Sequence, residues 1–172
     1  MKKLSALILS ACLATSVMAA PTPAPTPEVD RSFVLGMGAT LPEELQEPAQ
    51  KALEARFPNE TPVAIVVHLI ECESGLCEES LKNIQKYVYE DLQESKLVIL
   101  AIAVGSDDAE AQALAKRAEI TFPIIADKDR KLYERFAQDG VPRTVIAGRD
   151  GKIVYTNSGY TAGREAEYRA VV

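Results

Sequence analysis

The chain has 172 residues, a formal net charge of −6 and a hydrophobic share of 47%, enough for one domain with a buried core. The acidic balance leaves no basic footprint for nucleic acid, and beyond the N-terminal stretch no run approaches the ~18 apolar residues of a membrane span. Three cysteines, one histidine and no tryptophan confine any thiol or imidazole chemistry to a few positions.

Lys2 and Lys3, the apolar run from Leu4 to Val17 and the small residues ending at Ala19 have the three-part pattern of a secretory signal peptide, predicted over residues 1–19. A rival reading takes Leu9-Ser10-Ala11-Cys12 as a lipoprotein box, with Cys12 lipidated. Membrane attachment is expected only in that case. The alternating prolines from Pro21 to Pro27 predict an extended spacer. Residues 20–40 are read as spacer and N-terminal extension, with a short edge strand at 32–35, and residues 41–172 as the folded domain.

Residues 42–57 have the apolar face of a helix, which Pro48 is expected to kink or divide. Val63 to Val67 is an apolar, largely β-branched run, the pattern of a strand covered on both faces. Leu81, Ile84, Val88 and Leu92 then recur at helical spacing, and Leu97 to Val104 (LVILAIAV) is a second buried strand. Strand, helix and strand over so short a length predict a right-handed βαβ unit with parallel strands. A helix over 107–119 opens on an Asp107–Glu110 capping box. A short strand at 122–126, a helix at 131–138 and a strand at 141–147 follow. Asp150-Gly151 marks a hairpin returning through 153–155, and a brief helix closes the chain over 163–172. Tyr87, Tyr89 and Tyr133 fall at helical positions and read as packing residues.

Between the first core strand and its helix lies Glu71-Cys72-Glu73-Ser74-Gly75-Leu76-Cys77, with both cysteines expected in the mature chain. An exported protein can hold such a pair as a disulfide. Ser74 is an ordinary helix N-cap, and the helix start favours a thiolate at Cys77. Glu71, Glu73, Glu78 and Glu79 form an acidic collar that opposes one. His68, on the strand, is expected to be a satisfied sheet histidine. Its outside alternative is a soft-metal site with Cys72, Cys77 and a glutamate.

The VAIVV strand, a cysteine at the start of the next helix, the segment Ile120 to Asp127, Val141-Pro142-Arg143-Thr144 and the closing Gly148 to Tyr155 together resemble the thioredoxin-like superfamily, in its TlpA-type and redoxin branch of exported proteins. The resemblance implies an α/β fold: a thioredoxin-like three-layer sandwich, its mixed central sheet flanked by helices on both faces, with an αβ insertion over residues 107–126. It also implies a cis peptide bond at Pro142 and a substrate groove at Val141 and Pro142, facing the redox loop.

The family's site is C-x-x-C after a tryptophan. Here Cys77 matches the second cysteine, Ser74 stands in place of the first, and Cys72 lies two residues earlier. Three readings stay open. Cys72 and Cys77 act as a reversible pair on cysteines of other extracytoplasmic proteins, recycled by a redox partner. Alternatively, Ser74-x-x-Cys77 works as in peroxiredoxins, with Cys77 reducing peroxide and Ser74 supporting its thiolate. In the third, the bridge is structural in a redox-inert binding module. No cofactor and no metal is expected.

Overall fold

The computed structural model describes residues 32–172; the signal-peptide and lipidation readings and the proline run fall outside the described residues. Five strands, β1 (Ala64–Ile70), β2 (Leu97–Val104), β3 (Ile124–Asp127), β4 (Arg143–Gly148) and β5 (Ile153–Ser158), form one sheet in the order β3-β2-β1-β4-β5. β1 runs parallel to β2 and antiparallel to β4, so the sheet is mixed.

Among the described residues five α-helices cover its faces: α1 (Gln46–Glu54), α2 (Gly75–Ile84), α3 (Asp108–Arg117), α4 (Lys131–Phe136) and α5 (Glu165–Val171). Alternation along β1 divides the core. Val67 and Leu69 pack with Leu45, just ahead of α1, Ala49 and Leu53 of α1, and Tyr133 and Phe136 of α4. Val66 and Ile70 pack with Cys77, Leu81 and Ile84 of α2, Leu114 of α3 and Tyr168 of α5. Both faces are thus closed, which is why β1 and β2 are apolar at successive positions rather than alternating. The result is the three-layer thioredoxin-like sandwich, with α3 and β3 as its αβ insertion.

The insertion forms as its sequence dictates. Asp107 caps α3 through Ala109 and Glu110 amides, and the Glu110 carboxylate accepts the Asp107 N–H at 2.9 Å. Leu81 and Ile84 in α2, and Val88 beyond it, are fully buried, so the apolar stripe holds although the backbone passes into a π turn at Gln85–Tyr89. Gln85 is buried there and uses its side-chain carbonyl to accept the Thr121 N–H at 2.9 Å, tying this helix to the insertion.

Two expectations change. Pro48 neither kinks nor divides α1: it is the third residue of that helix, in the first turn, where backbone N–H groups have no helical partner to lose. The break falls upstream, where a 3-10 turn over Glu43–Leu45 leads into α1. Residues 32–35 make no strand, only a single bridge from Phe33 to Ala137. The stretch up to 40, read as extension, is nevertheless bound into the domain: Phe33 is buried, the Gly38 N–H donates to the Ile153 carbonyl at 2.7 Å, and Thr40 bridges Lys152.

Candidate redox site

β1 ends at Ile70 and α2 begins at Gly75, so both cysteines sit at the carboxyl end of the central strand. Ser74 is the N-cap of α2, its extended backbone (φ −86°, ψ 115°) turning the chain and its Oγ accepting the Cys77 N–H at 3.3 Å. That places Cys77 in the first helical turn with its side chain inward. Cys77 is fully buried beside Ile70 and Leu81, and its Sγ accepts the Glu71 N–H at 3.5 Å.

Burial pushes the Cys77 thiol above its ordinary range. Hydrogen bonds from Ser74 and the Glu71 backbone pull it part of the way back, while the Glu71 carboxylate and Cys72 push it up. Cys72 is half-buried, and both cysteines are free thiols.

Two of the four glutamates of the expected acidic collar have cationic partners. Glu78 meets Lys82 at 2.7 Å and Arg117 at 3.3 Å, contacts that hold its carboxyl below the usual range. Arg117 also donates from Nη2 to the Cys72 carbonyl at 2.9 Å. Glu71 lies 3.7 Å from Arg130. Both arginines come from beyond β2, one from the end of α3 and one from the turn before α4, so no local reading of the loop could place them. Glu73 and Glu79 remain exposed.

His68 lies on the same sheet face as Cys77, wholly buried. Its Nδ1 is 2.9 Å from Thr144 Oγ1 and its Nε2 is 2.8 Å from Ser80 Oγ. Ser80 Oγ also donates to the Cys77 carbonyl at 2.8 Å, and Thr144 Oγ1 lies 2.9 Å from the Tyr168 hydroxyl, so the imidazole sits inside a buried chain of hydroxyls. Burial lowers the imidazole pKa to about 3. With both ring nitrogens engaged, His68 is the satisfied sheet histidine, and the soft-metal alternative is corrected. Among the described residues no cluster of three or more His, Cys, Asp or Glu side chains could hold a metal.

The Val141–Pro142 peptide bond is cis. Leu69 pairs with Arg143 across β1 and β4, so the antiparallel register brings Pro142 beside Ile70. Val141, like Cys72, is partly buried and packs against the cluster that contains Cys77. Cys72, Ser74, Cys77, Val141 and Pro142 thus gather at one end of the sheet.

Residues 23–172 match the redoxin family. This chain is a redoxin. It is 24% identical over 83 residues to the thiol-disulfide oxidoreductase ResA of Halalkalibacterium halodurans, a match covering 48% of this redoxin and 47% of that protein, so it spans about half the length of its curated relative. Solved structures share the fold. One is a putative protein disulfide isomerase from Bacteroides thetaiotaomicron, with TM-score 0.66, 16% identity and 81% and 92% of the two chains covered. Another is the thioredoxin domain of a thiol-disulfide oxidoreductase from Bacteroides vulgatus, with TM-score 0.61, 12% identity and 80% and 99% covered.

Several site residues of this redoxin escape a sequence reading. Arg117 and Arg130 lie far along the chain from the loop they brace. Ser80 and Thr144 carry one weak signal, a hydroxyl at a position whose helix or strand neighbours are apolar. Nothing local identifies His68 as their partner.

Proposed function

We propose that this redoxin is an extracytoplasmic thiol-disulfide oxidoreductase acting on cysteines of other proteins, with Cys72 as the attacking sulfur and Cys77 as the resolving one. The observation that carries the reading is the unequal placement of two free thiols on one short loop, Cys72 half-exposed and Cys77 buried at the start of α2. A Cys72 thiolate attacks a client disulfide, breaking it to form a mixed disulfide and release one client thiolate. Cys77, deprotonated, then attacks the Cys72 sulfur and expels the second client thiolate. The client gains two electrons, and a redox partner returns them to the protein. The turn at Val141 and Pro142 is the groove for the client's backbone.

The N-terminal signal pattern supports action outside the cytoplasm, and the relatives named as oxidoreductases support exchange chemistry. Burial of Cys77 and its raised thiol weigh against a peroxidase working through that residue. Insulin reduction and scrambled-ribonuclease assays on the purified domain test the reading. Activity is expected above that of the Cys72→Ser/Cys77→Ser double variant, and equality in both assays would overturn it. A Cys72–Cys77 potential below about −300 mV would instead mark a structural bridge.

A further inference from the structure

Beside Cys72 the carboxyl ends of β1 and β2 open into a cleft of about 300 Å³, whose walls include Glu71, Cys72, Glu73, Ser106 and Arg130. Open α/β sheets bind ligands at this end of their strands. Three features of the cleft bear on what it could bind.

The first is Ser106. It is only 6% exposed, yet among the described residues no hydrogen bond engages its hydroxyl, although its backbone N–H is spent on the Ala103 carbonyl. Its Oγ is not cut off from solvent, and Ser106 lines the cleft. The second is Arg130, a non-glycine residue in the left-handed region (φ 58°), a conformation that costs about 1 kcal/mol or more. It stacks its guanidinium over the Tyr133 ring at 4.7 Å and reaches Glu71 at 3.7 Å. A cation is thereby held against the wall of the cleft while staying partly open to solvent. The third is Glu73, an exposed carboxylate with no ion pair among the described residues.

We propose that this cleft binds the zwitterionic end of a small disulfide of the amino-acid or short-peptide class, so that such a disulfide oxidises the Cys72–Cys77 pair directly. The proposal rests on Cys72 being an exchanging sulfur. Arg130 receives the ligand carboxylate, Glu73 its ammonium group, and Ser106 supplies a hydroxyl to either. The volume suits one amino-acid unit and its sulfur, at the low end of small-ligand pockets, and its walls carry the Arg130 cation among the carboxylates of Glu71, Glu73 and Glu110.

The chemistry balances without a further reagent. The Cys72 thiolate attacks one sulfur of R–S–S–R, the ligand bond breaks, and R–S⁻ leaves and takes a proton from water. Cys77 gives up its proton, attacks the Cys72 sulfur of the mixed disulfide and expels the second R–S⁻. The ligand gains two electrons as two thiols, and the protein loses two as a disulfide.

The test is stopped-flow oxidation of the reduced protein by L-cystine, cystamine, 3,3′-dithiodipropionate and bis(2-hydroxyethyl) disulfide. Each rate is divided by that disulfide's rate with a free small thiol at the same pH, which removes intrinsic reactivity. Cystine should exceed the neutral disulfide by about tenfold or more, the gain expected of charge-assisted hydrogen bonds, and its rate should saturate. Arg130→Gln should lower the normalised rates of cystine and dithiodipropionate, and Arg130→Lys should restore part of each. Glu73→Gln, on the exposed loop, should lower those of cystine and cystamine. Ser106→Ala should weaken cystine saturation. Equal normalised rates for all four disulfides, or an unchanged ranking in the variants, would overturn the cleft while leaving exchange intact. No reaction with any of them, in wild type as in Cys72→Ser, would overturn exchange at Cys72 and the cleft with it.

Discussion

The two sulfurs are separated by four residues in sequence, yet their surroundings have little in common. Cys77 lies in a place built from its own neighbourhood: the cap Ser74, the amide of Glu71 and the apolar wall of β1 and α2. Cys72 lies in a place built from far along the chain, with Arg117 on its carbonyl and Arg130 beside the adjoining Glu71. Burial and helix geometry therefore set the state of the inner thiol, whereas charges delivered by the insertion and the turn that follows it surround the outer one. A site divided this way lets the surroundings of the outer sulfur be altered through remote arginines without disturbing the helix start that holds the inner one.

Removing the sulfurs one at a time should break the comparison most sharply. Cys72→Ser should bring exchange down to the level of the double variant, and Cys77→Ser should accumulate mixed disulfides through Cys72, seen on non-reducing gels. Mixed disulfides accumulating in Cys72→Ser but not in Cys77→Ser would reverse the two roles.

Beneath the inner sulfur, His68→Ala should cost about 2–4 kcal/mol in denaturant unfolding, because two buried hydroxyls lose their common partner. The pH dependence follows from the lowered imidazole pKa. The unfolded chain binds a proton below about 6.5, the native chain only near 3. His68 thus favours the fold fully above about pH 6.5, and stability falls, by up to about 1.4 kcal/mol per pH unit, as pH drops toward 3. His68→Gln should flatten this acid limb relative to wild type. Parallel limbs would mean that the imidazole is protonated in the fold.

A smaller effect is expected at the cap. Ser74→Ala should destabilise the domain by about 1 kcal/mol and move the Cys77 thiol further up, read as a shifted pH profile of alkylation in a Cys72→Ser background. Glu71→Gln should have the smallest effect, moving the same profile down, since the Glu71 carboxylate opposes the Cys77 thiolate while its backbone N–H supports it. An unmoved profile would show that Arg130 already screens Glu71 completely.

How much of this can be read from sequence differs from element to element. α3 announces its own start, because Asp107 and Glu110 cap it within a single turn. β2 spans Leu97–Val104 as its unbroken apolar run predicts. Pro48 is the instructive failure. A proline removes a donor wherever it lies, but the cost depends on whether that donor had a partner, and this follows from where the helix begins.

The sequence by itself determined the order of strands and helices, the capped insertion, the hairpin at Asp150-Gly151 and the cysteine loop between β1 and α2. Each of these is governed by short-range periodicity, capping or turn chemistry. Only the tertiary structure decided that Arg117 and Arg130 meet the acidic loop, that Ser80 and Thr144 occupy both nitrogens of His68, that Phe33 joins the core and that Ser106 faces the cleft beside Cys72. These contacts join residues far apart in the chain, and their energies depend on burial and on distances that exist only once the sheet has closed between its two helical layers.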